Sequence, residues 1–186
     1  SPFGPPQEVL QAIRAADLSR YPDPTSSRAR AAWGEHLRRD PDGLVLGNGA
    51  ADLLWCLAGL LARRAPRVLS IEPAFSEFRA ALACRGVACE HLSARLADGL
   101  EFPWEAFAAR MARGDVDVVH LAAPSSPAGT PVRLDRLARI AAEHARAMFV
   151  VDVSFQSLSE SADEERTEVP DNVVLVRSLT KELGLP

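Results

Sequence analysis

Residues 116–155, VDVVHLAAPSSPAGTPVRLDRLARIAAEHARAMFVVDVSF, read as a strand, a Pro/Ser/Gly turn, a helix and a second strand. The strands fall at Val116–Leu121 and Ala147–Val151, with the helix over 133–145. Two strands joined by a helix of that length pair in parallel through a right-handed crossover. Working outward, the same alternation continues. Toward the N-terminus come a helix at 104–113, a strand at 87–92, a helix at 74–85 and a strand at Val68-Leu69-Ser70-Ile71. Before these lies a strongly apolar helix at 50–63, whose Trp55 and Cys56 read as core, and a short extended run, Leu44-Val45-Leu46. A helix over 26–39 is stopped by Asp40-Pro41-Asp42-Gly43, and one over 7–16 ends before the turn Tyr21-Pro22-Asp23-Pro24. Toward the C-terminus, an acidic surface segment (159–171) leads to a last strand at Val173–Val176. The pattern predicts an α/β fold: three layers, α/β/α, around a mostly parallel sheet.

The chain has 186 residues, 47% hydrophobic and 25% charged, which suits one sizeable globular core. No apolar stretch is long enough to span a membrane. A net charge of −4 argues against nucleic acid as the main partner. The opening Ser1-Pro2-Phe3-Gly4-Pro5-Pro6 lacks the basic and apolar regions of a signal peptide. The three cysteines, Cys56, Cys84 and Cys89, are odd in number and have no metal-like spacing with histidine, so no metal site and a reducing, cytoplasmic setting are expected. One count stands out. Of the 21 basic residues, the only lysine is Lys181. Arginine replaces lysine in ion pairs and phosphate contacts, but not as a nucleophilic amine, because the guanidinium stays protonated.

In open α/β sheets ligands bind beyond the carboxyl ends of the strands. Those ends carry Gly47-Asn48-Gly49-Ala50-Ala51 at a helix start, then Glu72-Pro73-Ala74-Phe75, then Pro124-Ser125-Ser126-Pro127-Ala128-Gly129. They also carry Asp152, followed by Val153-Ser154-Phe155, and Arg177-Ser178-Leu179-Thr180-Lys181. Each has a plain structural reading: a turn, a core aromatic, a cap. Each also has a chemical one. Helix-start amides bind anions, and glycines let a phosphate approach the backbone. A carboxylate after an apolar strand needs a partner. Together they fit a flat, phosphorylated aldehyde with a ring nitrogen: Asp152 on the nitrogen, Phe75 on the ring, Ser178 and Thr180 on the phosphate, and Lys181 as the amine. Proteins use pyridoxal phosphate in this way.

The quoted blocks, in this order, resemble fold-type-I pyridoxal-phosphate enzymes, in the branch of histidinol-phosphate aminotransferases and threonine-phosphate decarboxylases. The N-terminal Ser1–Pro6 and Arg20-Tyr21-Pro22-Asp23 resemble motifs of the same branch. The resemblance implies Lys181 as the Schiff-base lysine and Asp152 as the partner of the pyridine nitrogen. Phase by phase along the chain it implies Phe75 stacked on the ring, and Gly49, Ala50, Ala51, Ser178 and Thr180 around the phosphate. Tyr21 would reach the cofactor of a second subunit, making a homodimer. Ser126 stands where the family has asparagine, and Phe155 where its aminotransferases have tyrosine; the decarboxylases are closer to Phe155. The resemblance further implies an N-terminal arm and helices over 1–40, an incomplete cofactor-binding large domain over 41–186, and a C-terminal small domain absent from this sequence. For the longer parent protein the expected activity is amino transfer between an amino acid, or an amino-alcohol phosphate such as histidinol phosphate, and a 2-oxo acid, and these 186 residues alone are expected to be inactive. Decarboxylation of a phosphorylated amino acid and a catalytically degenerate α/β binding module are the alternatives.

Overall fold

In a computed structural model describing residues 4–159 and 167–185, five strands form one sheet: β1 (Val68–Glu72), β2 (Cys89–Ser93), β3 (Val118–Ala122), β4 (Met148–Asp152) and β5 (Val173–Val176). Their spatial order is β2-β1-β3-β4-β5, and every neighbouring pair is parallel. All five carboxyl ends therefore lie along one edge. Among the described residues there are seven α-helices: α1 (Gln7–Arg14), α2 (Ser27–Leu37), α3 (Gly49–Ala62), α4 (Glu77–Ala83), α5 (Trp104–Met111), α6 (Leu134–Glu143) and α7 (Leu179–Glu182).

Side chains alternate across a strand, so each strand feeds two cores. Val68, Val118, Val150 and Val176 pack against Leu54 and Ala58 of α3 and Phe78, Ala81 and Leu82 of α4. Leu69, Ile71, Val119, Leu121, Phe149 and Val151 pack against Phe107 and Met111 of α5 and Leu134, Leu137 and Ala141 of α6. These are the three layers that the sequence predicts. The connection from β2 crosses back over β1 to β3, which puts the switch of direction between β1 and β3. Ligands of such sheets bind at that place.

Several expectations need correction. Leu44-Val45-Leu46 joins no sheet; Val45 is 76% exposed. A short apolar run has strand propensity but no ladder to enter, and the packing around it decides. Cys56 is exposed rather than core. Strand β2 begins two residues later than 87, and α4 begins at Glu77 instead of 74 because Pro73 to Ser76 form a loop. Of the acidic segment, residues 159 and 167–171 lie in neither helix nor strand, and 160–166 lie outside the described residues.

The turn before α2 is held by Asp23, whose carboxylate accepts the backbone N–H and hydroxyl of both Thr25 and Ser27 at 2.6–2.9 Å. Those bonds hold its carboxyl well below the usual range. Further along α2, Gly34 is buried, and a Cβ there would stand 2.8 Å from the Arg39 carbonyl oxygen and 2.9 Å from Pro41 Cγ. Alanine favours a helix over glycine by about 1 kcal/mol. Overpacking against backbone costs about 1–3 kcal/mol, so Gly34→Ala is expected to lower the melting temperature. A melting temperature that rises would show that the 38–41 turn yields freely.

Candidate active site

The sheet edge gathers most of the predicted residues. Asp152 ends β4 and is 5% exposed, and its Oδ1 accepts the Ser154 N–H at 2.9 Å. Next to it, β5 delivers the chain to Ser178, where α7 begins. The hydroxyls of Ser178 and Thr180 lie 2.9 Å apart. Lys181, on α7, holds its Nζ over the Phe155 ring, 5.8 Å from the centroid. Phe155 and Phe75 are 41% and 40% exposed, so each ring keeps an open face.

Helix α3 brings the glycine-rich start to the same edge, since Ala50 in its first turn and Val176 at the end of β5 share one buried cluster. The Gly49 N–H is bonded to the Gly47 carbonyl at 2.9 Å, and Asp52 Oδ2 accepts from the Asn48 N–H at 3.0 Å. Asn48 caps nothing with its side chain. The next amides, of Ala50 and Ala51, are among the helix-start donors that have no intrahelical acceptor. Gly49 itself has φ +86°, a conformation that glycine takes without strain. Ser126 sits half-buried in the loop after β3, which is pinned by the Ser125–Thr130 hydroxyl pair and by the Gly129 N–H on the Ser125 carbonyl at 2.7 Å. Phe75 and Ser126 thus flank the β1/β3 switch. Tyr21 does not join them: it is 99% exposed and packs against none of these residues.

Sequence reasoning missed several polar groups. Ser154 and Gln156 are buried, and the Ser154 hydroxyl and Gln156 Oε1 have no protein partner among the described residues. Both follow Asp152 closely, and nothing in an apolar-run analysis marks them. A small pocket behind the α7 turn is bounded by Trp33, Ser154, Ser178 and Glu182. Deeper, His120 on β3 is fully buried, with Nδ1 3.1 Å from Ser70 Oγ. Because the Ser70 hydroxyl donates to Glu72 Oε1 at 2.8 Å, the proton between His120 and Ser70 belongs to Nδ1. Nε2 is then bare, and it has no partner. Burial pushes the imidazole down from 6.5 to about 3, and the Arg79 charge adds to this.

The carboxyl edge of the parallel sheet thus brings together a helix start, two paired hydroxyls, a buried carboxylate and the chain's lysine. The whole chain, residues 1–186, matches the family model of aminotransferase class I and II, and it belongs to that family. It is 30% identical to the histidinol-phosphate aminotransferase of Sphingopyxis alaskensis, covering 100% of this chain and 52% of that protein. It is similar in structure to histidinol-phosphate aminotransferase from Sinorhizobium meliloti in complex with pyridoxal-5'-phosphate, with TM-score 0.84, 26% identity, and 100% and 51% of the two chains covered. L-threonine-O-3-phosphate decarboxylase from Porphyromonas gingivalis shares the fold at TM-score 0.71 and 23% identity, over 96% and 50% of the chains. The chain spans about half the length of the curated relatives it matches. Among the described residues no helix is long and apolar enough to cross a membrane, and no cluster of His, Cys, Asp or Glu could hold a metal ion.

Proposed function

We propose that these residues hold pyridoxal 5'-phosphate, and that the enzyme they belong to moves an amino group between an amino acid, or an amino-alcohol phosphate such as histidinol phosphate, and a 2-oxo acid. One observation carries the reading: the only lysine of the chain stands over the partly exposed Phe155 ring, on the helix that follows β5, the strand paired with the one that ends in buried Asp152. The donor set fits the cofactor. Paired hydroxyls and two helix-start amides suit a phosphate, Asp152 suits a protonated ring nitrogen, and the orphaned Ser154 and Gln156 atoms suit a polar guest. When bound, the cofactor supplies an electron sink for charge that develops at the substrate Cα.

The protein's own residues do the rest. Asp152 keeps a proton on the ring nitrogen, helped by burial that strengthens its charge–charge attraction. Phe75 covers a ring face and excludes water. Lys181 Nζ would hold the cofactor through its amine and, when free, would accept the Cα proton of the substrate as general base. The exposed Ile13, Leu18 and Tyr21 of the N-terminal segment, with no buried residue in α1, suit docking against a second copy, which supports a homodimer. The three free thiols support a cytoplasmic setting.

Adding pyridoxal phosphate to the purified protein and recording its visible spectrum, followed by borohydride reduction and peptide mapping, tests the reading. Label is expected on Lys181. A colourless, unlabelled protein overturns it and favours a degenerate α/β binding module. Removing both phosphate hydroxyls, as in Ser178→Ala with Thr180→Val, is expected to weaken cofactor binding by about tenfold or more in a spectral titration. Unchanged affinity would remove these hydroxyls from the cup. Decarboxylation is the second reading, favoured by Phe155 under Lys181 where the family's aminotransferases resemble one another in carrying tyrosine. Release of carbon dioxide in place of a 2-oxo acid would select it.

A further inference from the structure

We infer that Glu72 is a positioning residue, which sets the Phe75 ring through the backbone of Ala74; this rests on the reading of Phe75 as the surface under the cofactor ring. Phe75 is 40% exposed, so packing covers only part of its ring and the backbone that carries it shares in placing it. That backbone has a side-chain tether. Glu72 Oε2 accepts the Ala74 N–H at 3.1 Å. Its other oxygen, Oε1, accepts the Ser70 hydroxyl on β1 at 2.8 Å and lies at ion-pair distance, 2.8 Å, from Arg79 Nε on α4, with His91 Nδ1 on β2 further off at 3.7 Å.

The carboxylate is 17% exposed, so these contacts are little screened. A loop held through a fixed carboxylate keeps its ring in place without freezing it by packing. The same pairing manages charge at the site. Ser70 is in register with His120, and His120 with Val150. Glu72 and Asp152, each two residues further on, share one level and one face, two strands or about 10 Å apart. Arg79 neutralises Glu72, which leaves Asp152 as the carboxylate of that row without a basic partner among the described residues.

A double-mutant cycle on the full chain tests this, with pyridoxal phosphate as the titrant and the visible band and its induced circular dichroism as readouts. Glu72→Gln in the parent is expected to weaken binding by roughly tenfold and to change the dichroism, which reports ring orientation. In a Phe75→Ala background the same change is expected to alter the affinity by less than about twofold, because the element it acts through is gone. Equal losses in the two backgrounds, or no loss in the parent, overturn the proposal. If Glu72→Gln does not fold, Arg79→Gln in the same backgrounds carries the test, with the same non-additivity expected. A parent protein that binds no pyridoxal phosphate overturns the functional reading itself, an outcome distinct from parent binding with additive losses.

Discussion

With Lys181 changed to alanine, the proposed attachment predicts that no pyridoxal phosphate is retained after borohydride reduction, and the amino transfer proposed for the whole enzyme is expected to fall by at least about a thousandfold, the scale of a missing general base. The chain offers no substitute amine, since every other basic side chain of Lys or Arg type is arginine. Lys181→Arg should be as inactive as alanine. It keeps the positive charge near Phe155 and the phosphate hydroxyls, but a guanidinium neither attacks an aldehyde nor accepts a proton at neutral pH. The pair of variants thus separates charge from nucleophilicity. Non-covalent uptake should survive in both, because Ser178, Thr180 and the first turn of α3 are untouched. Retained label in Lys181→Ala would place the attachment elsewhere and sink the assignment.

The second large effect is on stability in mild acid. His120 has a folded value of about 3 against 6.5 when exposed, so the unfolded chain binds a proton that the folded chain refuses. Stability from this group is complete above pH 6.5 and falls as pH drops from there toward 3. Two pH units below 6.5 the loss is roughly 3 kcal/mol, a large share of a typical domain's stability. The window is separable from that of the carboxylates. Asp117, Glu90 and Asp115 are held low by Arg67 and Arg110, and their ordinary values are 3.8 and 4.5, so their contributions are lost below His120's upper range. Urea midpoints measured from pH 7 to pH 4.5 should decline in the parent and stay nearly level in His120→Leu. Parallel declines would show that another group titrates there.

The layers and strands were legible because apolar runs bounded by Gly, Pro and Asp also bury their side chains: β3, β4 and β5 fall within two residues of the expected spans. Legibility failed where local pattern and burial part company. Helix α3 is apolar at most positions, so periodicity cannot say that Cys56 faces outward. Leu44–Leu46 has the composition of a strand and no neighbour to pair with. At the site, Lys181 and Asp152 were visible as singular residues at strand ends. The burial of Ser154, Gln156 and His120 was not, because a buried polar group is defined by contacts that only the assembled fold supplies.

The strand order has a consequence for synthesis. β1 is paired on one side by β2 and on the other by β3, which lies 25 residues beyond β2's last residue in the chain. As the chain leaves the ribosome, β1 and β2 can join while β1's second edge, running along Val68, Leu69 and Ser70, stays bare until Val118 emerges. An uncovered apolar edge is a template for pairing with other chains. Nascent chains in that interval are therefore the species most exposed to aggregation, and faster translation between Ser93 and Val118 shortens their lifetime.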